Sequence, residues 1–541
     1  MGTAILALAV PYFCHTSFQV HLRIALYSQA IEPERRNKAM IRKKVLLILA
    51  IATAAAMSVS VTACLASNNA ATDSSETTAI NTVVTGEEIT NANDGEHAIE
   101  VSGNTAEYSN IKVTKTGDSA SGDEADFYGE NSAIFATDGA TLTLTDIVVD
   151  TNGTHANAVF SYGEGTTVNI SNSTITTSGN CSGGLMTTGG GTMNATNLDI
   201  HTTGNSSAAI RSDRGGGTVT VDGGTYVTDG TGSPAIYSTA DITVSNASLE
   251  STKSEGVVVE GKNSVTLNNV NLTADNNTHN SDKSTTYNAV MIYQSMSGDA
   301  SVGLATFTMT GGSLTNNNGD VFFVNNTATT ITLENVEIVN QDSEGVFLRA
   351  AAAGWGSEGS NGGKVNLYLK KQAQSGDIVV DKVSALNLYL SESTTYTGAV
   401  NSANEGEVYV ELEKGSKWVL TGDSYITGLT CEADAIDLNG HKLYVNGTEY
   451  SAGTASTGTA ITIATESSSS GRPDGMPGEP PSGDRPSGEK PSGDFPGDPP
   501  SGDPPSGGPG GNGTPPSGDP PGDPPSGGNG GEPPAKPSES N

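Results

Sequence analysis

Cysteine is scarce in this chain: Cys14, Cys64, Cys181 and Cys431 are the only four in 541 residues. None forms a CxxC pair, which excludes a zinc motif read from spacing. Basic residues are also few: 26 Lys and Arg stand against 60 Asp and Glu, for a formal net charge of -34. Such a field repels DNA, RNA and anionic lipid, and no basic stripe offsets it, so nucleic acid is excluded as a partner. Aromatics make up 5% of the chain, so any core is a stack of small aliphatics rather than a few aromatic anchors. Helical periodicity is missing as well, and only the periods of strands remain.

What is present is repetition. TLTLTDIVV from Thr141, TVNISNSTI from Thr167, TMNATNLDI from Thr192, TVTVDGGTY from Thr218, DITVSNASL from Asp241, SVTLNNVNL from Ser264, TFTMTGGSL from Thr306 and TITLENVEI from Thr330 are variants of one phrase. Alternating apolar residues, such as Leu142 with Leu144 and Val265 with Leu267, predict strands with one buried face. The sixth position is Asp146, Asn172, Asn197, Gly223, Asn246, Asn269, Gly311 and Asn335 in turn, residues that tolerate a left-handed backbone, so the strand bends there. A further strand precedes each copy, as in SAIFA from Ser132, NAVFS from Asn157 and EGVVV from Glu255. Copies return every 25 residues or so, the mark of a solenoid. Coils stacked about 4.8 Å apart align the bend residues into a column whose amides bond along the stack, with Asn246 expected to be a buried member. A leucine-rich repeat is the alternative parallel solenoid, but its LxxLxL spacing and helical segment are absent.

With this ladder the sequence resembles the right-handed parallel β-helix proteins, the pectate-lyase-like superfamily, over roughly residues 95 to 450. The resemblance implies an all-β, right-handed parallel β-helix solenoid and leaves function open. Residues 91–466 form that unit, with regular coils to about 345 and irregular coils and a cap after, where VNLYL, LNLYL and VYVEL lack the ladder asparagine.

Met40 to Lys44 form a basic cap, an apolar run follows from Val45, and Val61, Thr62, Ala63 and Cys64 close it, which is the pattern of a secretory signal over residues 40–63. The closing residues resemble the bacterial lipobox, which implies lipidation of Cys64 and an extracellular, membrane-anchored protein. Residues 1–39 precede this signal and stand outside the fold, 64–90 are a flexible tether, and the Pro/Gly/Ser/Asp-rich residues 467–541 are expected to be disordered. The combination resembles adhesin-like and carbohydrate-binding surface lipoproteins of Gram-positive bacteria. Cys181 and Cys431 are too many coils apart to form a disulfide.

Candidate sites are sparse. Arg211, Asp213 and Arg214 make the best lyase-like group, read as a salt-bridged exposed turn. Asp118, Asp123, Glu124, Asp126 and Glu130 offer hard oxygen ligands, which leaves calcium as the one cofactor in view, although their spacing matches no established calcium loop. Loops after NAVMI and GVFL are longer than a coil needs, and together they bring Tyr293, Gln294, Met296, Arg349 and Trp355 into a candidate ligand-binding patch. The expected function is non-catalytic binding of an extracellular polysaccharide or of a host or neighbour-cell surface, with no catalytic residues assigned. A polysaccharide lyase or glycoside hydrolase with a divergent site and a purely structural surface rod are the alternatives.

Overall fold

The computed structural model describes residues 82–463; the signal segment with Cys64, residues 1–39, most of the tether and the tail from 467 lie outside them. The described chain is a parallel β-helix. Each coil carries three strands, as in Thr141–Thr145, Val148–Thr151 and Val159–Tyr162. The first two strands of successive coils join one 19-stranded sheet, bent along its length, and the third strands form an 11-stranded sheet.

Register follows from the period of two. On the first face Leu142, Val168, Met193, Val219, Ile242, Val265, Phe307 and Ile331 are direct partners from coil to coil, and all are buried. A slip of one residue would turn this whole column to solvent, so the pattern specifies the stacking strongly. The third face contributes Val159, Leu185, Ile210, Ile236, Val257 and Val290 to the same core.

Two corners within each coil have distinct chemistry. At the first, Asp146, Asn172, Asn197, Gly223, Asn246, Asn269, Gly311 and Asn335 all have φ between 49° and 76°. Asn197 Nδ2 donates to Asn172 Oδ1 at 2.9 Å and Asn269 Nδ2 to Asn246 Oδ1 at 3.1 Å, while Gly223 and Gly311 interrupt the run and Asn246 donates to Asp222 instead. The expectation of a buried amide at Asn246 is corrected: the side chain is exposed, as at Asn172 and Asn269. The corner turns the chain so that this position points outward, and the left-handed φ is what selects its residue type.

The buried polar column is at the second corner. Thr177, Thr202 and Thr228 donate through Oγ1 to the carbonyls of Ser182, Ser207 and Ser233 at 2.6, 2.5 and 2.6 Å. The N–H groups of Ala156, Ser182 and Ser207 are each met by the serine hydroxyl of the next coil at 2.9 Å. Backbone groups turned inward by the bend are thereby satisfied without water. Between them Gly179, Gly204 and Gly230 stack so closely that a Cβ would lie 1.9, 1.8 and 1.8 Å from the glycine carbonyl oxygen one coil earlier.

Between residues 364 and 412 the coils are regular rather than irregular, and the departure comes at the end, where Leu443–Val445 pairs antiparallel with Thr448–Glu449. Lys364–Lys370, Ala385–Ser391 and Glu407–Leu412 pair in register, continuing the first face with shorter coils. Their inward alternation is as clean as before although the ladder asparagine is missing, and Asn387 Nδ2 donates to Asn366 Oδ1 at 2.9 Å from coil to coil. A separate four-stranded sheet supplies another face there, and Trp418 and Tyr396 fill the core.

Candidate functional site

Outward residues of the third face run Phe135, Phe160, Met186, Arg211, Tyr237, Val258, Met291, Phe323, Arg349. An outward row this apolar requires a cover, and three excursions of the chain provide it. The helix Gly122–Tyr128, capped by Ser121, lies over the first coils: Thr188 Oγ1 donates to the Phe127 carbonyl at 2.7 Å, and Tyr128 meets Tyr162 edge to face at 5.9 Å. Residues 294–303 and 351–363 form the other two.

Asp123 and Glu124 fall in the first turn of that helix, where carboxylates favour the N-terminal end. Asp118 accepts the Thr154 N–H at 2.7 Å, Glu130 accepts from Ser119 Oγ at 3.4 Å, and Asp126 faces His155 and Arg211. Three of the five acids read for calcium thus have other partners, and the five form no ligand group among the described residues. Among the described residues, the one grouping with metal-ligand character is Asp126, His155 and Cys181.

Arg211 and Asp213 are joined at 2.6 Å, with side chains only 14% and 5% exposed, so the expected exposed turn is a nearly buried pair. Burial, together with Asp126 and Asp299 nearby, outweighs the attraction of Arg211 and pushes the Asp213 carboxyl up to about 7. Arg214 reaches away from the pair, to Asp299 at 2.9 Å and over the Phe127 ring at 3.8 Å, so it ties the second excursion to the helix. Next along the face, Tyr237 and Tyr293 donate to Glu260 Oε2 at 2.5 and 3.1 Å, and Ser295 donates to Oε1. Burial and the Glu260 charge hold both phenols well above their ordinary range.

Of the candidate patch, Tyr293 and Trp355 are brought together, with ring centroids 5.0 Å apart and an interplanar angle of 70°. Their faces close over Val258, Met291 and Phe323 rather than opening to solvent, and Tyr293 is only 8% exposed. Gln294 is buried and donates to the Ala300 carbonyl at 3.2 Å, which folds its loop back on itself. Arg349 is held by Asp320 at 2.5 Å, and Met296 alone is freely exposed, at 60%. These residues cover the core edge, and none of the rings stands as an open platform.

The first face is open, as is the second, where Thr176, His201 and Glu250 are exposed. The outward rows of the first face are Thr141, Thr167, Thr192, Thr218, Asp241, Ser264, Thr306 and Thr330, and beside them Thr143, Asn169, Asn194, Thr220, Thr243, Thr266, Thr308 and Thr332. Every one is partly or fully exposed. In-register pairing sets them about 4.8 Å apart along the stack and roughly 7 Å apart along each strand. Past Thr332 the second row continues as Tyr368 and Tyr389, stacked at 4.6 Å with rings 9° from parallel. The alternation that exposes these threonines is legible in the repeated phrase, as the residues between the inward ones. No family model, curated protein or solved structure matches this chain.

Proposed function

We propose that this chain is a lipid-anchored protein of the extracellular cell surface that binds neutral, extended glycans without catalysis, along the hydroxyl and amide rows of its first face. The observation that carries the reading is the unbroken, in-register array from Thr141 to Thr332. A polysaccharide is itself a repeating ligand, and many weak hydrogen bonds on a regular array add up through effective concentration. Threonine is stiff at χ1, so little side-chain freedom is lost on contact. The Tyr368 and Tyr389 pair adds aromatic surface for apolar sugar faces. A net charge of -34 disfavours acidic polymers, which narrows the ligand to neutral ones on a neighbouring cell or host surface.

The test is retention of the purified full chain on a glycan array and on insoluble neutral polysaccharides. Thr220→Lys combined with Thr266→Lys raises two long side chains from the plane and is expected to weaken retention at least tenfold with an unchanged far-UV circular dichroism spectrum. Equal retention removes the array as the binding face. Release of unsaturated or reducing ends supports a lyase or hydrolase, and failure to bind any glycan supports a structural surface rod. For the anchor, Cys64→Ser is expected to release the protein into the medium, and continued globomycin-sensitive processing of that variant would contradict lipidation.

A further inference from the structure

The helix Gly122–Tyr128 is inserted into one coil and lays a carboxylate against the second corner. Asp126 Oδ1 lies 3.2 Å from His155 Nδ1. Donor atoms of Asp126, His155 and Cys181 all lie within 4.8 Å of one another, and all three residues are partly buried. His155 and Cys181 hold the same place in successive coils: their N–H groups donate to Asn180 and Asn205 at 2.9 and 2.8 Å, with φ of 56° and 54°. Parallel stacking thus sets an imidazole beside a thiol far from it in sequence.

We propose that Asp126, His155 and Cys181 bind a divalent transition-metal ion, Zn2+ by the chemistry of the donors. One thiolate, one imidazole and one carboxylate suit a borderline-soft ion, whereas Ca2+ and Mg2+ call for oxygen ligands throughout. Ligands around a tetrahedral zinc stand roughly 3.3 to 3.8 Å apart, given bond lengths of about 2.0 to 2.3 Å. Asp126 and His155, at 3.2 Å, are close to that separation, and closing the remaining gap to Cys181 takes about 1 Å of side-chain movement. Cys181 binds as the thiolate, so binding releases a proton.

Charge balance favours the same occupant. Arg211 lies 3.5 Å from Asp126 and 2.6 Å from Asp213, so one guanidinium serves two carboxylates in a site with little water. A cation on Asp126 leaves Arg211 to Asp213. Three protein ligands leave a fourth position open, and Arg211 Nη1, buried with no hydrogen-bond partner, offers a donor to an oxygen ligand there.

The experiment titrates the reduced full chain with Zn2+ alone against a chromophoric chelator, and separately with Co2+. One ion per chain is expected, with a thiolate-to-cobalt charge-transfer band in the near ultraviolet. Cys181→Ser should abolish the band and weaken zinc at least about 100-fold, and His155→Gln or Asp126→Asn at least about tenfold. Ser206 occupies the equivalent corner of the next coil with φ of 54°, so serine is compatible with folding at position 181. A chain with Cys14, Cys64 and Cys431 all changed to serine should bind as the parent does. Absence of binding, unchanged binding in Cys181→Ser, or loss of binding when only the other three cysteines are replaced overturns the site.

Discussion

The wide coils from Thr141 to Asn340 and the short coils from Lys364 to Val445 bury the same kind of inward aliphatic column but differ in the side chains that satisfy their bends. In the wide coils, whose first-corner residues such as Asn172 and Asn197 are 25 apart, threonine and serine hydroxyls reach the backbone of the second corner. In the short coils, where Asn366 and Asn387 are 21 apart, hydroxyls still serve at places, as where the Val400 N–H donates to Ser424 Oγ at 3.0 Å, but large aromatics join them. There Tyr396 Oη donates to the Gly376 carbonyl at 2.7 Å and Trp418 Nε1 to the Gly398 carbonyl at 2.9 Å. A bend turned toward the core needs donors. Either a small side chain supplies them locally or the polar tip of a large aromatic brings them across the interior, filling volume as it does so.

The sharpest way to break this comparison is Trp418→Ala. It removes both the filler and the donor, and a loss of about 3 to 5 kcal/mol is expected. Nearest-neighbour coupling in a solenoid should confine the damage: hydrogen exchange ought to quicken over the short coils while the amides of the wide coils keep their protection. Uniform acceleration along the chain would show that the two regions unfold as one.

Ser207→Ala is the counterpart in the wide coils. It leaves the buried Ser182 N–H without its acceptor, so a cost of about 1 to 3 kcal/mol is expected, read as a lower denaturant midpoint. An unchanged midpoint would mean that the hydroxyl column is incidental to stacking. Asn246→Gly should do least: it relieves the left-handed backbone and gives up exposed side-chain bonds that water replaces, for a net change within about 0.5 kcal/mol. A loss as large as that of Ser207→Ala would restore the first-corner ladder as a principal source of stability.

The strands were legible because alternation and a conformationally demanding bend recur in every copy. The second corner was legible too, in the spacing of Thr177, Gly179 and Ser182 and its repetition at Thr202, Gly204 and Ser207, but hydroxyls and glycine read as ordinary loop residues unless stacking is already in view. Exposure of the ladder was not legible, since a left-handed φ dictates the residue type at a bend without saying which way its side chain points. Asp126, His155, Cys181 and Arg211 escaped for another reason. They come together through register and one inserted helix, and neither spacing nor charge in the linear chain joins them. The patch around Tyr293 and Trp355 shows the converse: long loops were correctly located, but their aromatic residues are occupied in covering Phe323 and Met291.

The glycine column at the second corner has a consequence for how such a molecule changes length. Since Gly179, Gly204 and Gly230 stack with no room for a methyl group, a repeat cannot be shortened or lengthened by a residue inside that corner without driving backbone into backbone. Gly191 pairs directly with Gly217, however, so removing the stretch from Thr192 to Gly217 would join Gly191 to Thr218 with every column still in step. Size along the axis is therefore granular, gained or lost in whole turns of about 4.8 Å, and duplication of whole coils can set the length of the helix without redesigning its core.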